Sequence, residues 1–337
     1  MKNEQNYMQF ALCREMLETP AIIHNFKLTQ TERVVQAIKQ AGRLFFTGEG
    51  SSRIFPSKNA IADAYRKGMD ICFATEGDRQ AGEYDLSKFV VFAASNSGKT
   101  KEVVWLFDKL EKAGHKNIFG LTANKATKLE ELAEQTFVLS CGKEDAVAAT
   151  KSVAEQALFY QALLGQVRGE CTACKLGVLA DAVENALTLS IDPSITAAIA
   201  GAGTIYFAGR NDGVAEELTL KTNEITRKKS DFLEGTYALH GIEEVMNPND
   251  VLIFIDPFDA ELEKIQETLV KGVGMKVFAI SSKDAGFPTI QIKDVGDLTT
   301  YVQLAAGWNL LVEVGLHLKI NLDKPTRARK VGNEFVG

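Results

Sequence analysis

No stretch of the 337 residues approaches ~20 uninterrupted apolar positions, the length a membrane-crossing helix needs, so no span is expected. Basic blocks are missing as well. The net charge is −6, acidic and basic residues are interspersed, and no basic-plus-aromatic module stands out, so nucleic acid is not an expected partner. The opening MKNEQNYMQFALCREMLETP has no apolar run preceded by positive charge, and a secretory leader is not expected. Cysteine is scarce: five residues, an odd number, scattered except for Cys171-Thr-Ala-Cys174. That usage points to free thiols in a reducing, cytoplasmic compartment rather than to a disulfide framework. A single C-x-x-C with no second pair and no nearby histidines makes a poor zinc site, so Cys171 and Cys174 are read as residues on a helix and no metal is expected.

What the sequence does have is alternation. Strand-like apolar runs at 43–50, 89–96, 117–124 and 136–142 are each followed by a helical segment, and the pattern returns at 204–211, 251–258, 276–283 and 289–295. Short apolar strands alternating with helices imply parallel sheets covered on both faces. The two series keep nearly one offset. Phe46 lies 161 positions before Phe207, Val90 lies 161 before Val251, and Asn117 lies 159 before Lys276. We read an internal duplication: an α/β chain of two tandem, doubly wound, flavodoxin-like domains at 41–180 and 190–320. Residues 1–40 read as a helical arm closing on TQTERVVQAIKQAG, with a threonine cap and a terminal glycine. Residues 321–337 have no periodicity and read as a tail lying over a site.

In open α/β sheets ligands collect beyond the carboxyl ends of the strands. Two loops there are unusual: Gly48-Glu49-Gly50-Ser51-Ser52-Arg53 after the first strand, and Ser95-Asn96-Ser97-Gly98-Lys99-Thr100 after the second. Each opens a helix whose first amides lack partners and carry partial positive charge. Hydroxyls add donors, and glycines admit an anion close to the backbone. Either loop alone reads as ordinary capping, since serine and threonine are common N-caps. The pair at adjacent strand ends points to one phosphate instead. Neither loop has the spacing of a nucleotide fingerprint, so a small phosphorylated molecule fits better than ATP or NAD.

These loops resemble those of the SIS (sugar isomerase) family, and later residues resemble the isomerase half of glucosamine-6-phosphate synthases over roughly 40–330. The resemblance implies that Ser51, Ser52, Ser95, Asn96, Ser97 and Thr100 hold a sugar phosphate, Asn96 standing where that family has glutamine. It implies that Gly50, and Val147 and Ala149 in the V-A-A-T-K run, contact the sugar. The family spacing of a helix lysine, a glutamate three residues on and a histidine sixteen further falls on Lys221, Glu224 and His240. The closing D-x-P-x-x-x-x-K falls on Asp323, Pro325 and Lys330.

The implied chemistry is coherent. A carboxylate, Glu224, moves a proton between C1 and C2 of the open-chain sugar. A histidine, His240, both gives and takes the proton of ring opening. An amine, Lys330, engages the carbonyl carbon, with Lys221 supporting the carboxylate. No cofactor is implied, and His240 is implied to come from the partner subunit of a homodimer. The loop Gly235–Ile242 lacks the family's glutamate and proline, and Lys99 replaces an acidic residue. Lys2 stands where the synthases carry a cysteine nucleophile, so no glutaminase activity is expected. The expectation is a phosphosugar isomerase or aminosugar-phosphate deaminase of gluco or galacto type. The alternatives are a deglycase of phosphorylated fructose-amines and a non-catalytic sugar-phosphate sensor.

Overall fold

The computed structural model describes Met1, residues 4–327, Glu334 and Phe335. The chain divides into two compact units, each considered by itself. The first comprises Ala21–Glu144, Ala149–Gly177 and Ala328–Gly337; the second comprises Met1–Pro20, Asp145–Ala148 and Val178–Arg327.

The first unit holds a five-stranded sheet of β1 (Arg43–Gly48), β2 (Cys72–Glu76), β3 (Val90–Ala94), β4 (Ile118–Thr122) and β5 (Gln135–Val138), in the order β2-β1-β3-β4-β5. All its pairings are parallel. The second unit holds β6 (Ile205–Gly209), β7 (Ser230–Glu234), β8 (Val251–Ile255), β9 (Lys276–Ser281) and β10 (Thr289–Gln291), again all parallel. Read from its other edge, that sheet runs β7-β6-β8-β9-β10, which is the same winding. The duplication read from the offset is therefore present in the topology, and each sheet reverses direction of growth beside its first strand.

Burial explains which strands form such plain sequence signals. Every residue of β3, β4, β6 and β8 is buried, as a strand covered by helices on both faces must be. In the first unit Phe45, Val91, Leu106, Phe107, Ile118 and Leu129 pack on one side of the sheet. On the other side Phe46 and Phe92 meet Tyr160, with ring centroids 4.5 and 5.1 Å away, from the helix Lys151–Arg168. Burying one such aromatic contributes roughly 1.5–3 kcal/mol. The second unit's helix Thr299–His317 is buried nearly all round, including Trp308 and Asn309, and forms the apolar centre of its layer.

Two local expectations need correction. Thr31 stands at the N-cap of the helix Glu32–Ala41 but makes no capping bond; its hydroxyl goes to Gln166 Oε1 at 2.5 Å, because the helix Lys151–Arg168 packs there. The closing glycine, Gly42, does adopt the left-handed conformation that ends a helix (φ 59°). Cys171 precedes, and Cys174 lies within, the short 3-10 turn Ala173–Lys175 rather than an α-helix, and both thiols are exposed.

Candidate active site

The two hydroxyl-rich loops leave neighbouring strand ends. Gly48 and Ala94 are paired in register where β1 and β3 run side by side, at the first unit's switch point. A side chain on Gly48 is excluded, since its Cβ would stand 2.7 Å from the Ala94 carbonyl oxygen. From there Gly50–Ser52 forms a 3-10 turn that leads into the helix Ile54–Arg66. Ser51 is buried, and Ser52 Oγ lies 3.5 Å from the Gln156 amide.

After β3, the Ser95 and Thr100 hydroxyls close the second loop on each other at 2.8 Å, and Ser97 Oγ accepts from the Lys99 N–H at 3.2 Å. Thr100 is the N-cap residue of the helix Lys101–Lys112, yet makes no side-chain capping bond among the described residues. The simple capping reading of that threonine therefore fails, and among the described residues the first amides of a three-turn helix take no cap from its side chain. Gly98 is left-handed (φ 65°), and a Cβ there would stand 2.5 Å from Thr127. Glu334 pairs antiparallel with Thr100, and the Phe335 N–H donates to the Lys99 carbonyl at 2.7 Å, so these residues lie along the loop. Lys330 lies outside the described residues.

Sequence reasoning missed Glu144. Its buried carboxylate accepts from the Asn96 amide at 2.8 Å, the Thr150 N–H at 2.7 Å and the Ser152 hydroxyl at 2.5 Å. One charge thus ties the Ser95–Thr100 loop to the start of the helix that follows the V-A-A-T-K run. Asn96 spends its side-chain amide on this network, while its carbonyl accepts from Thr122 and Asn124. Val147 and Ala149 are half-buried. Only the identity of Glu144 was available in the sequence, since its partners stand up to 48 positions away.

The second unit carries the residues expected to move protons. On the helix Val214–Thr226, Lys221 has no exposed side-chain surface. It lies 2.7 Å from Glu224 and 3.3 Å from Glu217, a second carboxylate that the i, i+3 reading overlooked. Burial alone would lower the Lys221 pKa, but the two carboxylates more than offset it and hold the ammonium above its ordinary value. Glu224 keeps 26% of its side chain exposed and so remains reachable.

His240 is exposed, beyond the carboxyl end of β7. The residues just before it, Gly235, Thr236 and Leu239, share a small cavity with Gly209 at the end of β6 and Asp256 after β8. Glu224 sits ten residues beyond Val214, hence ~15 Å down the helix from that same edge of the sheet. Within one chain, then, Lys221 and Glu224 are brought together, and His240 is held at the opposite end of the sheet.

The duplicated crevice of the second unit is internally satisfied. Asp212 Oδ1 accepts from the first helical N–H, Val214, at 3.3 Å. Arg210 reaches across from β6 to the Asp256 carboxylate at 3.0 Å and stacks 4.4 Å over Phe258.

With this geometry in view, the fold matches a solved tagatose-6-phosphate ketose/aldose isomerase of Escherichia coli with a TM-score of 0.77, covering 97% of this chain and 100% of that one at 17% identity. The chain carries the SIS fold twice. A second fold match is a glucosamine-6-phosphate deaminase of Thermotoga maritima, with a TM-score of 0.74 at 17% identity over 97% of this chain and 99% of that one. In sequence, the chain is 26% identical over 269 residues to a glutamine–fructose-6-phosphate aminotransferase (isomerizing) of Aeropyrum pernix, and so resembles the isomerase part of such synthases. That alignment takes in 72% of this chain and 43% of the relative, so the chain spans less than half the relative's length. No protein-family model matches the sequence.

Proposed function

We propose that this SIS chain is a phosphosugar enzyme of the ketose/aldose isomerase type and that its specific reaction is removal of ammonia from an aminosugar 6-phosphate. The observation that carries the reading is the pair of loops at the first unit's switch point, with a helix start lacking a side-chain cap beside two hydroxyls clasped together. A phosphate would take hydrogen bonds from Ser51, Ser52, Ser95, Ser97 and Thr100 and from the Asn96 backbone N–H. Gly50, Val147 and Ala149 would line the sugar.

In the other unit, His240 would protonate the ring oxygen and take the anomeric hydroxyl proton, opening the sugar. Glu224 would then remove the C2 proton and return it to C1, leaving an imine at C2. Lys330 would add to that carbon and expel ammonia, and water would then hydrolyse the resulting lysine imine, freeing the amine and a ketose phosphate. Lys221, 2.7 Å away, would orient the Glu224 carboxylate. The separation of His240 from Glu224 along the second sheet supports assigning His240 to a site completed by a second copy of the chain.

The test is ammonia release from glucosamine-6-phosphate and galactosamine-6-phosphate, with solvent deuterium exchange into fructose-6-phosphate followed in parallel. Ammonia from either aminosugar is the expected result and identifies the epimer. Exchange without ammonia replaces the deaminase by an isomerase or deglycase. Silence in both assays with binding intact makes the chain a sensor and sinks the enzymatic reading.

A further inference from the structure

Glu144 is a buried acid for which the proposed chemistry has no step. It is 1% exposed, and the three donors it gathers all lie in the first unit. Its Oε1 accepts from the Thr150 N–H, and its Oε2 accepts from both the Asn96 amide and the Ser152 hydroxyl. An ionised carboxylate suits that set, because both of its oxygens accept and neither donates. A glutamine there would have to turn an N–H onto one of the donors.

The plain role of such a group is to settle the start of the helix Lys151–Arg168, whose N-cap residue, Thr150, makes no side-chain capping bond. The Asn96 arm goes further. Asn96 is held at two points. Its main-chain carbonyl accepts from the Ala123 N–H at 3.1 Å, the Thr122 hydroxyl at 3.1 Å and the Asn124 amide at 2.8 Å, all at or just past the end of β4. Its side-chain amide donates to Glu144 at 2.8 Å and to the Ser152 hydroxyl at 3.1 Å. With carbonyl and side chain both engaged, the direction of the Asn96 N–H is set as well, and that N–H is one of the donors assigned to the phosphate. Thr150, the other end of the bridge, directly follows Ala149, which is assigned to the sugar.

We propose that Glu144 is a positioning residue for the phosphosugar: acting through Asn96, it fixes the Ser95–Thr100 loop against the Ala149–Thr150 segment. The phosphate and the sugar are thereby met at one spacing, by groups that a single carboxylate holds together. The inference rests on the phosphate reading of the loop.

The experiment exchanges donor and acceptor between the two residues and reads the Kd for glucosamine-6-phosphate by calorimetry. Glu144→Gln sets N–H against N–H, and Asn96→Asp sets carboxylate against carboxylate. Each alone should raise Kd by at least about tenfold, the loss expected of a charge-assisted hydrogen bond. The two together restore one donor facing one carboxylate, and Kd should return to within about threefold of the wild type. A carboxylate that served only the helix start would gain nothing from the exchange, so a double variant whose losses multiply overturns the proposal. Asn96→Ala leaves Glu144 its Thr150 and Ser152 donors and reads the loop arm alone, even where a charged variant fails to fold. It too should weaken binding by about tenfold, and unchanged affinity overturns the proposal. A wild type that binds no hexose 6-phosphate refutes the phosphate reading instead. The NMR amide signals of residues 95–100 in the ligand-free chain then decide the role of Glu144: they should move in both single variants and return in the exchanged pair, and signals that stay in place overturn it.

Discussion

Lys221 shows how much a residue's role depends on what surrounds it. A lysine spaced three positions from a glutamate on a helix is usually a solvated pair contributing a few tenths of a kcal/mol, about 0.3–0.5. Here the ammonium is wholly buried between Glu217 and Glu224, with Glu217 buried as well. Removing the cation takes from the buried Glu217 carboxylate the positive charge that lies 3.3 Å from it. Lys221→Met should therefore lower unfolding stability by about 3–5 kcal/mol, read from urea denaturation at neutral pH. A variant as stable as the wild type would show that the triad is not what holds this helix. Glu144 follows the same logic in the first unit, where one buried charge satisfies a side-chain amide, a main-chain N–H and a hydroxyl.

At the scale of the element, the loop between β3 and the helix Lys101–Lys112 is set by one backbone choice. Gly98 turns left-handed against Thr127, which is itself engaged in a capping box with Glu130. An alanine at that position would incur roughly 1–2 kcal/mol of backbone strain, and its Cβ would also push on Thr127. Gly98→Ala should weaken binding of glucosamine-6-phosphate by at least about tenfold, the equivalent of 1.4 kcal/mol, while circular dichroism stays unchanged. Undiminished affinity in calorimetry would place the phosphate elsewhere. The second unit has the same strand–helix pattern, but Asp212 and the Arg210–Asp256 pair occupy the places where an anion would dock.

For the whole molecule, the position of His240 is the decisive feature. Since Glu224 and His240 belong to opposite ends of one sheet, two copies of the chain would each supply what the other lacks. Glu224→Gln and His240→Ala should both be inactive alone. In a freely exchanged mixture about half of the dimers are hybrids holding one intact site, so activity should return to about a quarter of the wild-type level. A mixture as inactive as its components would end the two-copy reading.

The winding, the duplication and the two loops were legible in the linear chain for a physical reason. Strands such as VVFAA, IFGLT and VLIFI are buried on both faces and must be continuously apolar, and loops that admit an anion must be short on side chain. β2, reading CFATE, went unrecognised because it is an edge strand with only Phe73 buried. β7, reading SDFLE, is the other sheet's matching edge, with only Leu233 buried, and showed only as an extended stretch. Local periodicity reports local burial and nothing more. That Lys221 is enclosed and that Glu144 gathers three donors were decided by the tertiary structure. A charge's environment is set by chain segments tens of residues away.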